Sequence, residues 1–318
     1  MSTIASIDIG SQTIRLLVAE ADSSGGFTPI YRNRAIIRLG EAMSGSRMLL
    51  PAAIERGVAC IADFTREARA RGAAYIYPVA TACVRNAENA AAFLDQVHRA
   101  AGVAPAVLSG TEEARLSLLG VHSVYPSGTD TSLVIDIGGG STECILLHNG
   151  RPGDSESMHL GVIALAETHL QHDPPQPAEL ESLREDIQAV LQHASRLLPD
   201  LAAAAVRPVV IGTAGTATTL AAMNLALTDY HPERINRQVL SYAALQNLLA
   251  RMICLPAAER SRLPGLEAGR AVVIIPGTLI ILSVLDLLQA GELRVSDAGL
   301  LEGVIIDALQ KKSSGSSV

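Results

Sequence analysis

Ile4–Ile9 is a short apolar run that carries Asp8 near its end, the pattern of a buried strand. Ile14–Glu20 repeats it after a tight turn, and Gly25–Gly26 turns the chain into a third strand, Thr28–Leu39. Pro51 opens a helix that runs to about Ala70, with Gly72 behind it. Tyr75–Ala80 reads as a strand, Asn89–Ala101 as a helix closed by Gly102, and Ala106–Leu108 as a short strand. Thr111 then caps a helix whose first turn carries Glu112 and Glu113, as the helix dipole favours. The second half opens alike. Leu133–Ile137 ends in an Asp–Ile pair, a glycine-rich turn follows, and Glu143–His148 leads into an Asn149–Gly150 hairpin and a third strand. Helices follow at Val162–His169 and Ala178–Leu198, a strand at Val209–Ile211 and a helix at Thr216–Leu227, and the rest reads as mostly helical to Gln310.

The two openings share four residues. Ile7-Asp8-Ile9-Gly10 recurs as Ile135-Asp136-Ile137-Gly138, each followed by hydroxyl residues and a second apolar strand. A repeat of this kind at the start of two similar halves argues for duplication of one α/β domain. The expected boundaries are 1–124 for the first domain, 125–312 for the second, and a disordered polar tail at 313–318.

Two uncharged stretches, Pro208–Thr228 and Ala271–Leu285, are long enough to raise the question of membrane spans. Gly212 and Gly215 break the first, which reads as a buried strand, turn and helix; Pro276–Gly277 breaks the second, which reads as a buried helix hairpin. No leader pattern precedes the first strand, and the four cysteines show no CxxC spacing, so a cytoplasmic protein is expected. The net charge of −7 argues against a nucleic-acid coat. No nucleic-acid or membrane partner is expected, and a homodimer is admitted. Of 25 basic residues only Lys311 and Lys312 are lysine. A Walker-type phosphate loop or a Schiff base needs lysine, so a phosphate here must be held by arginine and backbone amides.

The glycine loops are the first candidates for that work. In Asp136-Ile-Gly-Gly-Gly-Ser-Thr-Glu143 a strand delivers an Asp to its C-terminal end, and Gly138, Gly139 and Gly140 let successive N–H groups point one way. Ser141 and Thr142 add hydroxyls, and Asp136 is placed to hold a divalent cation. Asp8-Ile-Gly10-Ser11-Gln-Thr13 repeats the device, with Arg15 just behind. An ordinary glycine hairpin explains one such loop about as well; two at duplicate positions favour the anion site. A third loop, Gly212-Thr213-Ala-Gly215-Thr216, joins a strand to a helix N-terminus, another place for an anion or for plain packing of small residues. Arg85 follows a strand end, where α/β ligands bind. Arg32, Arg34 and Arg38 alternate and share one strand face, best read as a solvated edge. Glu113, taken alone, reads as a surface residue at a helix start. Joined with Asp136 and Glu143 it could serve a metal and an attacking water, the set that phosphoric anhydride hydrolysis needs. The histidines show no metal-ligand spacing.

Several segments together resemble the exopolyphosphatase/guanosine pentaphosphate phosphatase (Ppx/GppA) family of the actin-like ATPase superfamily. They are IDIGSQTIRLLV (7–18), RLGE (38–41), VATACVRNAENAAAF (79–93), LSGTEEARLSLLGV (108–121), VIDIGGGSTE (134–143), GTAGTATTLAA (212–222), LPGLEAGRAVVIIPG (263–277) and VSDAGLLEG (295–303). The resemblance implies two RNase H-like domains in tandem, α/β in class, facing across an active-site cleft. It implies a phosphoric anhydride hydrolase that releases terminal phosphate from inorganic polyphosphate or guanosine pentaphosphate with Mg²⁺ or another divalent cation. By position Glu113 takes the general-base role, Asp136 and Glu143 the metal site, and Gly138–Thr142 with Arg85 the phosphate. Asp8, Gly10, Ser11, Thr13 and Arg15 form the opposing loop. The chain departs from the family pattern at Gln12, Asn236, Arg237, Val272 and Leu301. Two other readings stay open: a nucleotide-binding actin-like switch, because the superfamily's loops equally bind ATP, and a weakly active sensor of polyphosphate or guanosine polyphosphates, motivated by Asn236, Val272 and Leu301.

Overall fold

Strand β1 (Thr3–Ile9) is buried along almost its whole length, although Thr3, Ser6 and Asp8 interrupt its apolar residues. It lies in the middle of a five-stranded sheet. β2 (Thr13–Ala21) and β3 (Phe27–Ile36) flank it as an antiparallel meander, and β4 (Tyr75–Ala80) and β5 (Ala106–Val107) run parallel to it on the other side, in the order β3-β2-β1-β4-β5. The computed structural model describes residues 2–22, 26–43, 46–125, 131–148, 151–194, 197–203 and 207–313. The chain divides into two units, residues 1–120 with 299–318, and residues 121–298.

In the first unit one sheet face packs on α1 (Pro51–Ala70) and α3 (Ala90–Ala101), with the short α2 (Ala82–Asn86) between β4 and α3. Helix α1 buries Ala53, Ile54, Gly57, Cys60, Ile61, Phe64 and Ala68, one stripe at helical spacing. The other face takes α4 (Gly110–Val124) and the C-terminal helix (Leu300–Ser313): Leu301 and Ile305 pack on Ile4, Leu17 and Ala19, and Leu300 and Val304 on Val79, Leu108 and Leu116. These two helices cross so closely that a Cβ on Gly303 would stand 1.7 Å from the Leu116 carbonyl oxygen. The C-terminal helix therefore belongs to the first unit, not to a second domain of residues 125–312. Its apolar face matches a sheet formed some 280 residues earlier, a pairing that local pattern does not reveal.

The second unit repeats the arrangement. β6 (Ser132–Ile137), β7 (Thr142–His148) and β8 (Arg151–Met158) form the meander, β9 (Val209–Thr213) pairs parallel with β6, and the order is β10-β11-β9-β6-β7-β8. β10 (Val239–Ser241) and β11 (Glu292–Val295) are short strands inside a stretch read as helical. Around this sheet lie α5 (Val162–His169), α6 (Pro177–Ala189), α7 (Leu197–Ala203), α8 (Ala214–Asn224), α9 (Pro232–Ile235), α10 (Tyr242–Ile253), α11 (Ala257–Arg260) and α12 (Ile274–Leu288). The single helix expected over Ala178–Leu198 is broken by a π turn at Val190–Ala194. Helix α12 is apolar on every side and almost wholly buried, as such a helix must be. It is one helix rather than a hairpin, because Pro276 falls in its first turn, where a missing N–H costs no internal hydrogen bond. No helix among the described residues is long and apolar enough to cross a membrane. The Asn149–Gly150 turn, and the expected tail beyond Ser313, lie outside the described residues.

Candidate active site

The two hairpins that carry the glycine loops are built alike. In the first unit β1 and β2 pair up to Ile9 opposite Ile14, Asp8 stands opposite Arg15, and Gly10 N donates to Thr13 O at 3.2 Å. In the second, β6 and β7 pair up to Ile137 opposite Thr142, Asp136 stands opposite Glu143, and Gly138 N donates to Ser141 O at 2.9 Å. Register, loop length and closing hydrogen bond all coincide, so the repeat seen in the sequence is a repeat of structure. One position differs in charge: an Arg faces the first Asp and a Glu faces the second.

Asp8 is 4% exposed. Its Oδ2 accepts from Arg15 Nε at 2.9 Å and Nη2 at 2.6 Å, while its buried Oδ1 has no hydrogen-bond partner among the described residues. A buried carboxylate oxygen left so carries an uncompensated desolvation cost, and points to a donor or cation brought by a ligand. Burial pushes the neighbouring Cys83 thiol up to about 12 and so keeps it neutral. Cys83 and Arg85 belong to α2, an element the sequence reading left out. Arg85 Nη1 donates to Glu113 Oε2 and to the Leu108 carbonyl, both at 2.8 Å. The structure thus joins two residues singled out separately, the arginine and the acid. Glu113 sits in the first turn of α4 and is 8% exposed, so it is no surface ornament of a helix start. That helix is capped by Ser109 rather than Thr111: Ser109 Oγ accepts from Glu112 N at 3.1 Å, and its carbonyl accepts from Glu113 N at 2.9 Å.

In the second unit the first turn of α5 braces the glycine loop. Val162 N and Ile163 N donate to the carbonyls of Gly138 and Gly139 at 3.2 and 3.1 Å. With those carbonyls held back, the amides of Gly139 and Gly140 donate to no group among the described residues. Asp136 and Glu143, as direct cross-strand partners, project from the same sheet face. Both are buried, and Ser157 Oγ donates to Glu143 Oε1 at 2.8 Å. Thr142 does not act as an outward donor. Its side chain is fully buried and its hydroxyl donates to the Leu160 carbonyl at 2.7 Å.

The third loop follows β9, whose end lies beside that of β6, with Thr213 next to Asp136. Thr213 likewise turns inward, donating to the Ala298 carbonyl at 3.0 Å, so its hydroxyl holds the loop after β11. Thr216 is buried against Gly277. Gly215 is a glycine because the Arg270 guanidinium lies on it: a Cβ there would come within 2.2 Å of Nη1. Arg270 is itself buried and steered by Glu267 Oε2 at 3.0 Å. Arg270 is the residue that sequence reading missed. A buried arginine in an apolar segment was the available signal, but nothing in the spacing linked it to Gly215.

The departures from the family pattern have local structural roles. Asn236 Oδ1 accepts from Asp297 N at 2.7 Å. Arg237 holds a left-handed φ of 65° and donates to the Val124 carbonyl at 2.9 and 3.2 Å. Leu301 packs in the apolar cluster under the C-terminal helix. The Gln12 carbonyl accepts from Ile37 N and Arg38 N. Arg38 lies beyond the end of β3, so only Arg32 and Arg34 share its face. Val272 is exposed, and nothing in the structure explains it.

Comparison with known proteins agrees with this architecture. The model of the Ppx/GppA phosphatase family matches residues 17–312. The chain is 30% identical over 317 residues to Exopolyphosphatase 1 of Mycobacterium tuberculosis (strain ATCC 25618 / H37Rv), covering 98% of this chain and 90% of that one. It is 30% identical over 319 residues to Exopolyphosphatase 2 of the same organism, covering 96% and 98%. Among solved structures, the Aquifex aeolicus member of the Ppx/GppA family superposes with a TM-score of 0.80 at 30% identity over 98% of both chains. Both units have the strand order of RNase H-like, actin-like domains, and the chain belongs to the Ppx/GppA phosphatase family.

Proposed function

We propose that this phosphatase is a Mg²⁺-dependent exopolyphosphatase, and that guanosine pentaphosphate, which ends in the same kind of anhydride, is a secondary substrate. The observation that carries the reading is the duplicated glycine hairpin, whose second copy combines two amides with no partner among the described residues and a pair of buried carboxylates. Phosphoryl transfer asks a protein mainly for positioning and charge stabilisation. The Gly139 and Gly140 amides, with the Ser141 hydroxyl, are assigned to the oxygens of the terminal phosphoryl group. Arg270 at the N-terminus of α8 adds positive charge for a further phosphate oxygen. In the first unit Arg85 grips Glu113 through Oε2 and fixes its orientation. Glu113 then accepts a proton from the water that attacks phosphorus as the bridging P–O bond breaks, and the shortened chain leaves with the bridging oxygen.

The donors for a metal are Asp136 and Glu143. No group of three or more metal-binding His, Cys, Asp or Glu side chains exists among the described residues, so a protein cage of the zinc type is not supported there. Two hard carboxylates on one face suit an ion that completes its shell with water and phosphate oxygens, as Mg²⁺ does. When bound, such an ion neutralises charge on the phosphate oxygens. The test is orthophosphate release from long-chain polyphosphate, guanosine pentaphosphate and ATP, each with Mg²⁺ and with EDTA. Release from polyphosphate that stops on chelation is expected; release from ATP alone, or undiminished release in EDTA, would overturn the assignment.

A further inference from the structure

Three helices of the second unit leave a cavity of about 390 Å³ between them. Each presents it a stripe at helical spacing: Arg184 and Gln188 from α6, Tyr242 and Gln246 from α10, Ser283 and Asp286 from α12. Helix α6 buries only Leu183 and Ile187, so it meets the core along one narrow seam and leaves room beside it. Ser283 is the unusual member of the lining. It is 5% exposed and sits in a helix that is otherwise almost wholly apolar. The other hydroxyl of that helix, on Thr278, donates to the Ile274 carbonyl at 2.7 Å. The Ser283 hydroxyl makes no hydrogen bond among the described residues. A buried hydroxyl left so at the wall of a cavity points to a partner brought by a ligand.

The walls restrict the class of that ligand. Leu249, Leu279 and Leu282 are buried and apolar, a surface for the face of a flat ring. Gln188 and Gln246 each carry both a donor and an acceptor, which suits the mixed edge of a heterocycle. Burial, and after it the Asp286 carboxylate, hold the Tyr242 phenol above its ordinary value, and Arg184 opposes them. Arg184 and Asp286 thus bring one charge of each sign to the same side chain. A ligand with net charge of either sign would meet a like charge there, so a neutral one is favoured.

We propose that this cavity binds a purine nucleoside through its base. The ring lies on the leucine wall and turns its edge to the two glutamines and Ser283. None of these residues is among those assigned to phosphate or to metal, so the site stands apart from the hydrolase reading.

The experiment is calorimetric titration of adenosine, guanosine and octanoate into wild type, Ala250→Trp and Ser283→Ala, with folding checked by thermal melting. Ala250 is an exposed residue of the lining, so tryptophan there fills the cavity from its rim. At least one nucleoside should bind wild type with a Kd of order 0.1 mM, the affinity usual for about twenty ligand atoms. Ala250→Trp should abolish that binding, and Ser283→Ala should weaken it about three- to tenfold. Should the tryptophan variant melt early, Ser283→Ala decides. Saturating long-chain polyphosphate should leave the nucleoside affinity unchanged. No nucleoside binding at millimolar concentration, tighter binding of octanoate, displacement by polyphosphate, or full affinity in a folded variant would each overturn the proposal.

Discussion

Ser141 and Thr142 stand side by side at the end of the glycine loop, both of them buried hydroxyl residues. Thr142 donates inward to the Leu160 carbonyl from a fully buried position. Replacing it with the near-isosteric valine leaves that carbonyl unpaired, at a cost of about 1–3 kcal/mol. Thr142→Val should therefore lower the urea midpoint while a well-folded fraction keeps most of its kcat. An unchanged midpoint with a collapsed kcat would show instead that the hydroxyl serves the substrate. Thr213 shows the same inward habit through Ala298. The residue types at both places were legible from the sequence, but the direction of a hydroxyl depends on carbonyls that only folding brings near.

The C-terminal helix is held to the first unit by apolar packing and by a cluster of charges around Arg115. Arg115 donates to Glu112 at 2.8 Å and to Asp307 at 2.7 Å, and Lys311 pairs with Asp307 at 2.8 Å. Hydrogen bonding from Arg115 outweighs burial and holds the Glu112 carboxyl below its ordinary value. At Asp307 burial works against ionisation, yet Lys311 and Arg115 outweigh it and the value is again lowered. Both shifts are downward on folding. Their stabilisation is thus complete above the unfolded carboxylate range near pH 4 and is lost as pH falls through the lower folded values. Asp307→Asn should cost about 0.5–1 kcal/mol at pH 7, discounted for the partial exposure of Arg115, and should flatten the decline in stability below about pH 4. Urea unfolding of both proteins between pH 3 and 7 checks this; parallel curves would remove the cluster from the anchoring of the helix. Among the elements, long periodic ones such as α1 were fully legible, because one stripe of a helix meets one core. β10 and β11 were not, since three- and four-residue strands with polar alternation show too little period to read.

At the scale of the molecule the duplication was the strongest message in the sequence, and it holds in strand register and in the closing hydrogen bond of each hairpin. The ownership of the C-terminal helix was not legible, because chain order does not record which sheet an apolar face will cover. The pairing of Arg85 with Glu113 was legible only as two separate candidates.

Under the proposed mechanism Glu113, held by Arg85, takes the proton of the attacking water. The kcat of Glu113→Gln on long-chain polyphosphate with saturating Mg²⁺ tests that role most directly, with folding verified by melting temperature. Glutamine keeps an oxygen for Arg85 but cannot take a proton, so kcat should fall by about 10²–10⁴-fold while KM stays within a few-fold. A kcat within threefold of wild type would contradict it.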